Sequence, residues 1–448
     1  MTKTIRAAVF ALLQGIGERL HALLFLHLSR SGLVLGANNL AVYQTLAREA
    51  AAIFEENAPF ISHVNRAREQ DFERTYDKYK PGSTVNIVVP PTATVYTGAT
   101  FAGGGSSEDT VERTVPVTFS DATDRKHATL SMSTFEKVFN IPDAKADWVD
   151  RFLKPKVASL AASVEADMIA RAVAATPNVV GTPGSPITAM LTVAGARQKL
   201  QRFLAPKTGR HALISDTTNL GLVDANKGIF NPNAEISKEF TEGYIGYAQG
   251  AQFYECVNLP QITNGNKVAA VTVSGAGQSG SNLLVGGVAA ADTFKKGQVF
   301  TIAGVFAVHP LSGTPYGTTT GDLQQFVITA DVTSAGTTVS LPIYPALTAA
   351  MPNRTIGAAP ANAAALTFVG AASTSYRQNL MFQQDAYTVA MMPLPIIASC
   401  EGYTYNAKGF SLRVMTFGNG QTDVESTRID VLCTLASVRG EHGCRITE

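Results

Sequence analysis

Charge is scarce in this chain. Asp, Glu, Lys and Arg make up 16% of its 448 residues, against about 25% in an ordinary soluble domain. The signs nearly cancel, 36 Lys and Arg against 35 Asp and Glu for a net charge of +1, so the basic footprint of a nucleic-acid reader is missing. Cysteine is sparse as well. Cys256, Cys400, Cys433 and Cys444 show no C-x-x-C spacing, which excludes a disulfide scaffold and points to free thiols in a reducing compartment. The chain has no G-x-x-x-x-G-K-[ST], H-E-x-x-H or G-x-S-x-G motif. Its seven histidines, His21, His27, His63, His127, His211, His309 and His442, cluster with nothing that would make a triad. No catalytic residue, metal or cofactor is expected.

Length and composition are more permissive. A chain of 448 residues exceeds one ordinary core and predicts two to three domains. Low charge with abundant Ala, Thr, Gly and Val suits a protein that buries much of its surface against copies of itself. It equally suits a β-rich secreted protein.

The chain pivots on residues 242–260, EGYIGYAQGAQFYECVNLP. Gly243, Gly246 and Gly250 exclude a helix, because each glycine inside one costs about 1 kcal/mol against alanine. The segment predicts a close-packed turn, then a strand FYECVNL that stops at Pro260. After Pro260 the composition turns to short Thr/Ser/Gly/Val-rich strands, and the earlier style returns near Tyr376. That pattern reads as an inserted domain.

The other segments follow in order. Residues 5–28 are apolar behind Lys3 and Arg6, but no A-x-A cleavage site follows within reach. Glu18 and Arg19 sit at the centre of the run, where each charge costs about 2.5–3.5 kcal/mol on insertion scales, so no membrane span is expected. Leu40, Tyr43, Leu46, Ala50, Ile53 and Phe54 recur at helical spacing, and HVNRAREQDFERTYDKYK (63–80) alternates charge, with Arg66, Arg68, Glu69 and Arg74 in it. Residues 81–134 predict an extended hairpin, its tip at Gly103-Gly104-Gly105 and an acidic patch at Glu108, Asp109 and Glu112 beside Arg113. Such a ribbon is too thin to bury a core alone. A helix is clearest in 143–176, with Pro155 in its first turn, Val157, Leu160, Val164, Met168 and Ala172 on one face, and a stop at Thr176-Pro177. A second helix is expected over 188–204 and a buried strand over 211–216. From 376 on, strands alternate, and in RIDVLCTLASV (428–438) Ile429, Val431, Cys433 and Leu435 share one face.

The Gly-x-Ile-Gly turn with its aromatic strand and Leu-Pro resembles the centre of tailed-bacteriophage major capsid proteins. The inserted β-rich segment narrows the resemblance to the coat-protein family of the short-tailed Salmonella phage. DTTNLGLVDANKGIFNPN (216–233), VTVSGA (271–276), FKKGQVFTIAGVFAVHP (294–310), QQFVITADVTSAGTTVSLPIYPAL (324–347) and LMFQQDAYTVAMMPLP (380–395) agree in pattern and order.

The resemblance implies an α+β Hong Kong-type capsid fold carrying an inserted all-β, barrel-like domain. Its parts would be an N-arm (37–80), an extended loop (81–134), a spine helix with peripheral domain (135–186), an axial domain (187–261), the insertion (262–375) and a returning segment (376–448). Residues 1–36 would be an extension, since coat proteins of this family begin close to what is here Asn38-Asn39-Leu40. The implied function is a homo-oligomeric icosahedral head shell of hexamers and pentamers, assembled in the host cytoplasm and found in the virion. The implied partners are a scaffolding protein, a portal protein and packaged double-stranded DNA held without sequence readout. Candidate assembly contacts are Arg66, Arg68, Glu69, Arg74, Glu108, Asp109, Glu112 and Arg113. Gly243, Gly246, Gly250 and Pro260 are candidate structural turn residues. Some relatives crosslink the extended loop through a Lys–Asn isopeptide bond, but residues 81–125 contain no lysine, so no such bond is expected.

Four motifs compete with this reading. Gly275, Gly277 and Gly280 satisfy G-x-G-x-x-G after a strand, but the fingerprint needs a following helix and an acid about 20 residues on. Asp292 comes too early, and a strand-connecting turn fits better. His442, Cys444 and Cys433 lack a paired metal motif. Asn353-Arg354-Thr355 is a sequon that matters only if the chain is secreted. Asp385 reads as a strand-end carboxylate pairing with backbone or a nearby arginine. A secreted or surface β-rich adhesin is the main rival function, and an enzyme using the glycine turn ranks last.

Overall fold

Lys154–Ala175 forms a 22-residue helix, about 33 Å long, and it starts where the sequence places Pro155. Val157, Leu160, Ala161, Val164, Met168 and Ala172 are buried along it. The helix ends where Pro177 cannot supply an N–H and the Thr176 hydroxyl turns back to the Ala172 carbonyl (2.7 Å). The protein is represented by a computed structural model that describes residues 44–66, 84–90, 92–93, 112–133, 152–226, 246–407 and 410–448. The residues form two compact units. One is drawn from the chain up to Phe54, Lys126–Ala158 and Pro393–Leu432; the other comprises Glu55–Arg125, Ser159–Met392 and Cys433–Glu448.

In the first unit the helix at 44–56 buries Ala47, Ala50, Ala51 and Phe54. That face is turned by one residue from the expected one, leaving Leu46 and Ile53 half-buried; Leu40 and Tyr43 lie outside the described residues. Phe54 packs on Phe410 (ring centroids 4.9 Å). Glu401–Ala407, Phe410–Asn419 and the first half of Val424–Ser437 form an antiparallel meander. Simple alternation fails here, because residues 410–416 are buried on both faces. Arg413 sits inside that run and is satisfied by Asp430, which takes its Nη2 (2.7 Å) and the Nε of Arg428 (2.7 Å). Asp430 is fully buried. Removing one partner of a buried pair strands the other's charge at a cost of about 3–5 kcal/mol. Asp430→Ala is therefore expected to lose about that much in urea unfolding of the soluble subunit, and a loss under 1 kcal/mol would contradict it.

The second unit is built on a seven-stranded sheet. Its path runs Val179–Val180, Gly443–Thr447, Ser375–Gln383, Arg210–Ile214, Ala251–Glu255, Tyr247–Ala248, with Gln261–Thr263 pairing the far end of Ser375–Gln383. The expected buried strand at 211–216 and second helix are present as Arg210–Ile214 and Met190–Arg202. A helix not read from the sequence follows at Asp216–Asn226. Its Gly221 weakens the helical signal but is needed, since a Cβ there would lie 2.4 Å from the Ile187 carbonyl oxygen.

The strand expected to run to Pro260 stops at Glu255. Its parallel neighbour ends at Ile214, whose carbonyl takes the Cys256 N–H (2.9 Å). Beyond that point no ladder remains. Pro260 instead opens the next pairing, its carbonyl accepting the Gln378 N–H (3.1 Å). In Val424–Ser437, Ile429, Val431 and Cys433 are buried as expected, but Asp430, Thr434 and Ala436 are buried too and Leu435 only partly. The strand is covered on both faces, so its period-two signal marks only half of its contacts.

Residues 272–368 hold a six-stranded antiparallel sheet in the order Leu366–Phe368, Val299–Phe306, Leu323–Ile328, Thr338–Leu347, Gly280–Gly286, Thr272–Val273. Its ends meet. Thr272 bridges Ala365, and the Leu366 and Val273 N–H groups donate to the Val271 and Ala364 carbonyls (2.9 Å each). The sheet thus closes into a barrel around Phe294, Phe300, Phe326, Leu283, Leu341 and Ile343. Closure removes the unpaired edges that a small sheet would otherwise expose. Gly275, Gly277 and Gly280 all have positive φ and form the turn into Gly280–Gly286, a strand rather than a helix. The Gln278 side chain ties this turn to Ser274 and Leu284.

Candidate functional site

The hairpin predicted over 81–134 is present at its base. Thr84–Val89 pairs Arg113–Thr118 in antiparallel register, from Thr84↔Thr118 to Val89↔Arg113. Its inner face sets Ile87 and Val117 against Ala390 and Ala436 in a small apolar cluster. Arg125–Ser133, within the span expected to form the hairpin, instead pairs Val424–Ser437. A two-stranded ribbon with one apolar face is stable only when something covers that face, and here its own subunit does so.

The candidate contacts divide accordingly. Arg113 opens the returning strand, where its Nη2 donates to the Val438 carbonyl (2.7 Å), Nη1 lies 3.9 Å from Glu441 and the guanidinium sits 5.7 Å from the Tyr344 ring centroid. Its engagement is thus within the subunit. Glu112 is exposed beside it. Arg66 lies 3.7 Å from Glu55. Arg68, Glu69, Arg74, Glu108, Asp109 and Gly243 lie outside the described residues. Gly246 and Gly250 flank the short strand Tyr247–Ala248 with φ of +69° and +75°, a backbone that glycine adopts without strain. The Gly246 carbonyl takes the Phe253 N–H (2.9 Å), closing the expected turn.

A second constellation seats the short helix Pro59–His63, and sequence reading missed it because its members come from four separate segments. Glu165, 2% exposed on the long helix, accepts the Phe60 N–H (2.8 Å). On the other side His63 lies 4.7 Å from the His211 ring and 4.3 Å from Tyr254, and Phe60 meets Phe382 edge-on. The seven histidines thus do include one contacting pair. Its ring neighbours among the described residues are the aromatic Tyr254 and Phe382. His63 Nδ1 is 2.6 Å from the Pro59 carbonyl, which makes that nitrogen the donor. Just beyond, Asp385 accepts from Asn65 (2.7 Å) and Gln383 (3.0 Å), and no arginine among the described residues pairs with it.

Burial works on the two titratable groups in opposite directions. It raises Glu165 from 4.5 to about 7, against the Phe60 hydrogen bond. It lowers His211 from 6.5 to about 4, helped by His63. The stability associated with protonated Glu165 is full below pH 4.5 and lost as pH rises through 7. That associated with neutral His211 is full above pH 6.5 and lost as pH falls through 4. Between 4.5 and 6.5 the two nearly cancel. Glu165→Gln keeps an acceptor for Phe60 and deletes only the first trend. We expect the variant to match the parent near pH 4 and exceed it by about 3 kcal/mol at pH 8 in urea unfolding; equal curves at both pH values would refute this.

Arg445 is the largest fully buried side chain among the described residues. Its Nε and Nη2 donate to the Thr176 carbonyl and its Nη1 to the Gly297 carbonyl (2.6 Å). Burial pulls its pKa down to about 9, still above neutrality, so the guanidinium stays charged. Thr176 also bonds the Tyr387 hydroxyl. Cys256, Cys433 and Cys444 are buried and form no disulfide; burial pushes Cys256 up to about 11 and Cys444 to about 12, which keeps both protonated. His442 turns to the Phe203 carbonyl (3.1 Å).

A family model described as P22 coat protein, gene protein 5, matches residues 133–447. No curated protein matches the chain. Among solved structures, a chain of Mycobacterium phage Che8 is 12% identical with a TM-score of 0.46, over 86% of this chain and 89% of that one. The capsid structure of cyanophage P-SCSP1u is 10% identical with a TM-score of 0.43, over 82% and 84%. The asymmetric unit of the bacteriophage PhiM1 mature capsid is 10% identical with a TM-score of 0.40, over 81% of each chain.

Proposed function

The chain belongs to the P22 coat protein family, whose model it matches over most of its length, and from that premise we propose how this major capsid protein builds its shell. It is a structural protein of the virion that acts as many copies of itself. In our reading the copies group into hexamers and pentamers in the host cytoplasm, with a scaffolding protein guiding closure, a portal at one vertex and double-stranded DNA packed inside without sequence readout. Net charge of +1 is compatible with such loose contact. The observation that carries the reading is the family match.

The structure supports a division of labour along the chain. Residues 81–134 serve as the extended loop that reaches a neighbour, and 37–80 as the arm. Residues 262–375 form an inserted domain. In support, Gln261–Thr263 pairs Ser375–Arg377, the Asn264 N–H donates to the Thr374 carbonyl and the Ser373 N–H to the Gly265 carbonyl (3.0 Å each). The chain therefore departs and returns through one antiparallel stem, the geometry an insertion needs. The Hong Kong-type capsid fold is the architecture implied for the remainder. Repetition of self-complementary patches about closed rotation axes gives a finite shell rather than a filament.

The test is negative-stain electron microscopy of the protein made alone and with its co-expressed scaffolding partner. Closed, uniform shells are expected with the partner; a monodisperse monomer under both conditions would overturn the reading.

A further inference from the structure

The outgoing leg Thr84–Val89 and the returning leg Arg113–Thr118 are each held at their outer ends by the barrel. On the outgoing side, Thr92 follows the first strand by three residues. Its N–H and hydroxyl both donate to the Asn353 Oδ1 (3.3 Å each), and the Asn353 N–H donates to the Thr92 hydroxyl oxygen (2.6 Å). Asn353 adopts φ +63° to present both groups, a conformation Asn tolerates better than most residues. On the returning side, Arg113 covers the ring of Tyr344 in the strand Thr338–Leu347, while its Nη2 holds the Val438 carbonyl.

We propose that the barrel sets the direction of the extended loop, with Thr92–Asn353 and Arg113–Tyr344 as paired positioning contacts. This rests on the capsid reading and goes further, assigning to residues 344 and 353 of the barrel a part in shell assembly. The argument is mechanical. The Ile87–Val117 cluster is one patch on one face, and a ribbon fixed at one patch can still rock about it. A contact on each leg, Arg113 at the last ladder pair Val89↔Arg113 and Thr92 three residues past it, removes that freedom. The contacts are half-exposed, so each adds little to global stability; Arg113 keeps 42% of its side chain exposed. What they restrict is angle. A loop that must reach a second copy gains from being held in its binding direction beforehand, because the ordering cost is then not charged against the contact.

The experiment compares the full-length chain with the double variant Thr92→Val/Arg113→Met, and with Thr92→Ser as the conservative control. Two readouts are taken. Hydrogen exchange of the soluble monomer is expected to speed up at least tenfold at 84–89 and 113–118, with residues 380–383 of the central sheet unchanged. Shell yield with the scaffolding partner is expected to fall at least fivefold, and Thr92→Ser to behave as the parent in both. Unchanged hairpin exchange would overturn the proposal, as would faster exchange with parental shell yield. A parent chain that forms no shells counts against the capsid reading itself, while the exchange comparison still decides the anchors.

Discussion

Deleting residues 99–110 is expected to abolish closed shells while leaving a folded, soluble subunit. The separation of the two effects follows from register. Pairing of the two legs is complete at Val89↔Arg113, and the apolar contacts that seat the ribbon come from Ile87 and Val117 within the paired part. Both features lie in 84–89 and 113–118, outside the deleted stretch. The subunit should therefore unfold in urea at nearly the parental midpoint. Assembly is different, because under the role proposed for the extended loop its loss leaves a contact unmade in every copy of the shell. Sedimentation and electron microscopy with the scaffolding partner would show monomers or small oligomers only. Particles of normal form and yield would remove the loop from the mechanism, and with it the candidate contacts Glu108 and Asp109.

Arg445→Met is expected to be the most damaging single substitution in the second unit. Methionine fills much of the space but donates nothing, so the Thr176 and Gly297 carbonyls lose buried donors at about 1–3 kcal/mol each. A total of about 2–6 kcal/mol is a large share of the 5–15 kcal/mol that a domain has. The loss falls at one junction. Arg445 lies in the C-terminal strand, Thr176 caps the long helix and Gly297 belongs to a turn of the barrel. Soluble yield and the urea midpoint should both drop, and Arg445→Lys should recover only part, since one ammonium cannot span both carbonyls in the fork geometry of a guanidinium. A midpoint shift equivalent to less than 1 kcal/mol would contradict this account.

Much of this was open to reading in the residues themselves. Pro155, the 3–4 spacing of Val157, Leu160, Val164 and Met168, and Pro177 bound the long helix because local sterics and one-sided burial act within a few residues of the chain. Glycines at 246 and 250 announced a turn because only they take that backbone freely. The composition change after Pro260 located the barrel residues, since a small closed β-structure needs short alternating strands and many turns. The helix Asp216–Asn226 was not readable, because Gly221 is chosen for a distant carbonyl and spoils the local signal. Tertiary structure alone decided the rest. Glu165 meets Phe60, His63 meets His211, Asp430 meets Arg413 and Arg445 meets Gly297 across sequence separations that leave no periodic trace. Local forces write helices, turns and strands into neighbouring residues; the pairing of buried charges and the anchoring of a loop depend on which distant segments share a desolvated space, and only the folded chain brings those together.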